Sequence, residues 1–277
     1  MRAGRIGLCR GWFAAALLLL ATTSVSGGEK LPRLLMLAGS ASRPVLEEAL
    51  PALRTALGVE IDLDMGGSGS LLSRLELTHR GDIYLPGSHD FLERAIERKL
   101  VDGSTRTDLA WLAPALLVRR GNPRGITSLE DLTRSGIRVA IGEPRTVCVG
   151  LYAREVVERA GLADRLLPRL GRARSCAALA NLLAMGSVDA IIGWRVFEAW
   201  FPSRVEALPL PARLAPRLAT VPGAVTRFST HPLLARRVLD YLAGDAGRRI
   251  WRRHGYLTSR REALAWLGAS PEEPSNR

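Results

Sequence analysis

The sequence predicts an α/β protein of parallel units, and three observations carry that prediction. Short apolar runs of strand length alternate with amphipathic helical stretches, the strands end in turns of glycine and serine, and the alternation occurs in two separate parts of the chain. In sheets of this kind ligands bind beyond the carboxyl ends of the strands, so the turns are the first candidates for a site.

The first unit opens with Leu34-Leu35-Met36-Leu37-Ala38-Gly39, passes through Ser40-Ala41-Ser42, and enters a helical pattern over residues 44–57 that stops at Gly58. A strand-to-helix turn aims free backbone N–H groups and the positive end of the helix dipole at one spot, and small hydroxyls add donors there without blocking it. The construction recurs. Residues 59–65 alternate as a strand should and run through Gly66-Gly67-Ser68-Gly69-Ser70 into a helical pattern, and Gly81-Asp82-Ile83-Tyr84-Leu85 ends in Pro86-Gly87-Ser88 before a helix over 90–99.

A longer apolar run over 111–119 closes at Gly121-Asn122-Pro123, and Ser128 starts a short capped helix. A second unit follows. A strand over 137–142 leads through Glu143-Pro144 to Cys148-Val149-Gly150 and a helix over 151–160; Arg174-Ser175-Cys176 precedes a helix over 177–185, and residues 188–194 form a buried strand ending at Trp194. After a proline-rich connector over 208–216 come an apolar stretch over 218–225 and helices over 232–242 and 246–254.

The N-terminus reads as a secretory leader over residues 1–26: Arg2, Arg5 and Arg10, an apolar run over 11–21 too short to span a bilayer comfortably, and Ser24-Val25-Ser26 before Gly27. An uncleaved anchor is the alternative, and no cysteine follows the cleavage region as a lipid-anchored form would need. Residues 270–277 are too polar to pack and are expected to be disordered. Removing three arginines with the leader lowers the net charge from +12 to +9. Such a balance favours anionic partners or simply keeps the chain soluble; nucleic acid is disfavoured, because the basic residues are scattered on helices rather than clustered with aromatics. Cys148 and Cys176 remain after the leader leaves, and in an oxidising compartment an even pair leans towards a disulfide if the distance allows one.

In the order of these motifs the chain resembles the periplasmic binding proteins of ABC importers, most closely those for molybdate and tungstate. The resemblance rests on the serine turns at Ser40 and Ser68, the Gly81-Asp82-Ile83-Tyr84 segment, the Gly142-Glu143-Pro144 loop leading to Val149-Gly150-Leu151, the strand ending at Trp194, and the C-terminal stretch ending Arg253-His254-Gly255-Tyr256. It implies a type II periplasmic-binding-protein fold, two α/β lobes joined by two crossover strands, with one lobe from 30–112 plus 220–269 and the other from 113–219. It also implies a periplasmic monomer, without cofactor or resident metal, that holds a small oxyanion in the interlobe cleft and passes it to a membrane permease. Carried over residue by residue, Ser40 and one of Ser68 or Ser70 supply donors from the first lobe, and the amides near Val149 and Cys176 supply them from the second. Trp194 stands where the molybdate binders carry a tyrosine, and its indole N–H can donate from a different position.

Rival chemistries have weaker support. Gly66-Gly67-Ser68-Gly69 approaches the nucleophile-elbow pattern of serine hydrolases but has Ser70 where the fifth glycine belongs, and His79, His89, His231 and His254 are the only candidate bases. A metal-ion binder would want clustered carboxylates or imidazoles where the turns offer hydroxyls. A sensory binding protein of the same fold is not separated from a transporter by sequence.

Overall fold

The computed structural model describes Met1, residues 30–215 and residues 217–268. The expected leader, Met1 aside, and the expected C-terminal tail lie outside these residues. The chain first builds β1 (Arg33–Gly39), α1 (Arg43–Leu57), β2 (Glu60–Gly66), α2 (Ser68–Thr78), β3 (Ile83–Leu85), α3 (His89–Glu97) and β4 (Thr107–Leu112). It then forms β5 (Pro114–Arg119), β6 (Val139–Gly142), α4 (Cys148–Arg159), α5 (Ala163–Leu166), β7 (Gly171–Ala173), α6 (Cys176–Ala184), β8 (Ala190–Trp194), α7 (Phe197–Trp200) and β9 (Val205–Pro209). It ends with β10 (Ala219–Val225), α8 (Pro232–Ala243), α9 (Asp245–Arg253) and α10 (Arg260–Trp266).

These strands make two five-stranded mixed sheets, ordered β2-β1-β3-β10-β4 and β7-β6-β8-β5-β9. The expected two-lobed α/β architecture of type II binding proteins is the one observed. In each sheet the βα units pair in parallel and the crossover strands run against them: β1 is parallel to β2 and β3, and β6 to β7 and β8, whereas β10 and β5 are antiparallel to their neighbours. The apolar run over 111–119 is therefore two strands. Leu112 ends β4 in the first sheet and Pro114 starts β5 in the second. A continuous apolar run hides such a break, because both halves are buried.

Local patterns explain the elements. α1 buries Val45, Leu46, Ala49 and Leu53 on one face and stops where Gly58 turns left-handed at φ 62°. β8, Ala-Ile-Ile-Gly-Trp, is buried throughout because helices cover both faces of its sheet. Asp82 is structural: its carboxylate accepts from the Leu35 amide at 2.8 Å and the Ser229 hydroxyl at 2.6 Å, tying β1 to the chain after β10.

Register then sets up the site. β1 and β2 end opposite each other, Gly39 beside Gly66, so the turns carrying Ser40 and Ser68 lie side by side. In the second sheet Gly142 pairs with Ala173, which aligns the approaches to α4 and α6 in the same way. Both pairs of helix starts meet at the boundary between the lobes.

Candidate functional site

Each turn contributes a group to that boundary. Ser40 sits in a short 3-10 turn between β1 and α1, and its hydroxyl accepts from the Ala177 amide of α6 at 3.2 Å, a bond that crosses from one lobe to the other. Ser68 starts α2 fully buried; its hydroxyl accepts from the Gly87 amide at 3.0 Å, and its carbonyl accepts from the Tyr84 hydroxyl at 2.9 Å. One residue on, the Gly69 amide donates to the Thr146 carbonyl of the second lobe at 2.8 Å.

The second lobe answers with α4 and α6. α4 begins a turn earlier than the pattern over 151–160 indicated, which places Cys148 and Val149 at its amino end. The early start is possible because residue 150 is glycine: a Cβ there would stand 2.2 Å from the Gly142 carbonyl oxygen. Ser175 caps α6 through the Ala178 amide at 3.1 Å and leaves Cys176 facing inward. Trp194 closes the floor from the end of β8, fully buried, packed edge-on against Tyr152 at 5.0 Å, with its indole nitrogen unpartnered.

Among the expected site residues, the structure gathers Ser68, Val149, Cys176 and Trp194 around one spot, with Ser40 beside it on the α6 start. Ser70 is the correction. It is exposed, because two residues along a helix turns a side chain roughly 200° away from Ser68. The disulfide expected from composition is also not formed: Cys148 and Cys176 are free thiols with sulfurs 3.7 Å apart, against about 2.05 Å for a bond.

The electrostatics of this spot are those of donors without formal charge. The Cys148 thiol is pushed down by its bond with Cys176, against burial, with help from the Trp194 indole, the Ser68 hydroxyl and the Val149 amide. The Cys176 thiol is pushed well up by the same partner and by burial. The two thiols therefore titrate as a pair, one proton leaving more easily than the other. No histidine hydrogen-bonds Ser68 among the described residues: His79 stacks on Phe228, His89 meets Arg217, and His254 meets Glu48. The described residues also hold no group of three or more metal-ligating side chains.

Sequence reasoning missed a residue that spans the lobes. Arg217, in the segment leading to β10, donates to Asp90 of α3 at 2.6 Å and to Glu155 of α4 at 2.8 Å, and its guanidinium lies 4.4 Å over the Tyr152 ring. A lone arginine just after a proline-rich connector carries no local signal, and only the fold brings its two carboxylates together. Near Ser40, a cavity of about 430 Å³ opens between the lobes, lined by Arg43, Ala177, Asn181, Trp200 and His254 among others.

Comparison with known proteins agrees with this architecture. The family model for bacterial extracellular solute-binding proteins matches residues 34–257. A putative binding protein of Haemophilus influenzae is 24% identical over 248 residues, covering 89% of this chain and 98% of that protein. The molybdate-binding protein ModA of Escherichia coli is 21% identical over 204 residues, 72% of this chain and 79% of that one. Among solved structures, the periplasmic molybdate-binding protein of Azotobacter vinelandii superposes with a TM-score of 0.72 at 17% identity, covering 82% of this chain and all of that one.

Proposed function

The chain belongs to the bacterial extracellular solute-binding proteins, and from that premise we propose that it captures a small oxyanion between its lobes and delivers it to the permease of an ABC importer. Molybdate or tungstate is the favoured cargo, and the protein works in the periplasm as a monomer without covalent chemistry. The observation that carries this reading is the meeting of uncharged donors from both lobes around the Cys148 thiol: the Ser68 hydroxyl, the Val149 amide at the start of α4 and the buried Trp194 indole. Neutral hydroxyls and helix-end amides can hold an oxyanion without a cation, each charge-assisted bond contributing about 1.5 to 3 kcal/mol.

Release follows from the same geometry. The Ser40 to Ala177 and Gly69 to Thr146 bonds cross the lobe boundary and are lost when the lobes part about their crossovers. Calorimetric titration and thermal-shift measurement with molybdate, tungstate, sulfate and phosphate test the proposal. Tight binding of the larger oxyanions is expected, and no response to any of the four overturns it.

A second reading draws on the cavity beside Ser40. At about 430 Å³ it is of a size that accommodates an organic ligand. A small organic acid resting its carboxylate on the α6 start would then be the cargo, and the same titration extended to di- and tricarboxylates decides between the two.

A further inference from the structure

We propose that Cys148 and Cys176 form a dithiol site, inside the cleft, for a trivalent oxyacid of arsenic or antimony. The inference rests on the reading of this cleft as the ligand seat and names a ligand class that its hydroxyl and amide donors alone would not select.

Four observations support it. The sulfurs lie 3.7 Å apart on the first turns of α4 and α6, both packed on the second sheet, so the pair is held ready without any lobe movement. Both thiols are almost fully buried, and no carboxylate or imidazole joins them in a group able to hold a cation, among the described residues. The groups around the sulfurs are donors: the Val149 amide, the Ser68 hydroxyl and the buried Trp194 indole N–H all face the Cys148 thiol. Finally, the first lobe forms the opposite wall. A Cβ on Gly87 would stand 2.5 Å from the Cys148 sulfur, so a side chain there would displace it.

Ligand chemistry follows from this set. A thiol is a weak hydrogen-bond donor, so two of them among the seat's donors contribute little to a hard oxyanion such as sulfate. They are strong ligands for a soft centre. A bare soft cation adds no acceptor to a site whose indole, amide and hydroxyl donors all surround the sulfurs. A trivalent arsenic centre keeps one hydroxyl after taking two sulfurs, and that oxygen gives those donors their partner.

The step balances without a change of oxidation state. Arsenous acid carries three hydroxyls; the Cys148 sulfur attacks arsenic, one As–O bond breaks, and the leaving hydroxide takes the thiol proton as water. Cys176 repeats the exchange. The product is a single As–OH bridging two sulfurs, with two waters released and arsenic trivalent throughout. Entry requires open lobes, since the closed form buries both thiols.

The test uses the mature protein, reduced and then freed of reductant without air, titrated with sodium arsenite and followed by intact mass, tryptophan fluorescence and thiol counting. Expected are one arsenic per chain, a mass gain corresponding to arsenous acid less two waters, and loss of both reactive thiols. Cys148→Ser and Cys176→Ser each should weaken binding by about a hundredfold, since either removes the chelate. Circular dichroism confirms that the variants fold, and the wild-type stoichiometry and thiol count test the proposal without them. Failure of the reduced wild type to bind arsenite overturns the proposal, as does binding unchanged in both serine variants, or binding of silver ion where arsenite does not bind. Thermal shifts with molybdate and sulfate in the same protein keep the two readings apart: a response to molybdate with none to arsenite overturns only the dithiol site, and the reverse overturns only the hard-oxyanion cargo.

Discussion

Arg217 and Glu155 are joined by two hydrogen bonds, Nη2 to Oε1 at 2.8 Å and Nε to Oε2 at 3.1 Å, while the other terminal nitrogen of the same guanidinium reaches Asp90 at 2.6 Å. Asp90 belongs to the first lobe and Glu155 to the second, so one arginine just ahead of β10 ties the two lobes together in this arrangement. All three side chains are partly buried, which keeps the pairs from being fully screened. Arg217→Ala is expected to weaken cargo binding by about 1 to 3 kcal/mol, because it leaves two carboxylates facing each other in the closed form. Small-angle scattering should show a larger radius of gyration for the liganded variant than for liganded wild type; equal radii and equal affinities would refute the latch.

The same network predicts a response to acid. Burial alone would raise the Asp90 carboxyl, but the charge and hydrogen bond of Arg217 outweigh it and hold the group below its ordinary value of 3.8. A carboxyl depressed in the folded state contributes stability that is complete above that ordinary value and is lost as pH falls through the depressed one. Melting temperature should therefore not change on account of Asp90 between pH 5 and 7, and should fall below about pH 4. The loss should be smaller in Arg217→Ala, where Asp90 keeps only the weaker influence of His89 and Ser88. An identical profile in the two proteins would count against the assignment.

Closure also depends on a glycine. A Cβ on Gly67 would stand 2.8 Å from the Thr146 carbonyl oxygen and 2.9 Å from that of Arg174, both in the second lobe, while its φ of −73° suits any residue. Gly67→Ala should leave the first lobe folded but stop full closure. The expected signature is a cargo affinity lowered by about tenfold or more with an unchanged melting temperature of the unliganded protein, at roughly 1.4 kcal/mol per tenfold. An unchanged affinity would show that the lobes tolerate the methyl group.

Ser40→Ala removes the acceptor for the Ala177 amide and one hydroxyl beside the seat. The expected cost is about 1 to 2 kcal/mol in cargo affinity, the range for leaving a partly buried donor unpaired. Calorimetry on the variant checks it, and affinity equal to wild type would move the site away from this turn.

Much of the architecture could be read from particular residues. The repeated strand, glycine and serine turn, and helix of the first unit marked Ser40 and Ser68 because both are buried helix starts whose neighbours alternate with clear periods. Other features gave no local sign. The run over 111–119 showed no local break at Ala113, which only the resemblance placed between 112 and 113, and β9 and α10 were not expected, the first because it straddles the start of the proline-bearing connector and the second because it lies beyond the last expected helix. Ser70 and Ser68 were indistinguishable by pattern, since both are serines in one glycine-rich turn; helix phase alone separates them.

By itself the sequence determined the α/β class, the two-unit organisation and the positions of the helix starts, because periodicity and turn chemistry are local properties of neighbouring residues. Tertiary structure alone decided which of those starts meet. The alignment of Gly39 with Gly66 and of Gly142 with Ala173, the approach of two thiols 28 residues apart to 3.7 Å, and the reach of Arg217 to carboxylates on two lobes all depend on sheet register and lobe closure. Distances of that kind are set by the packing of the whole chain, and no stretch of neighbouring residues encodes them.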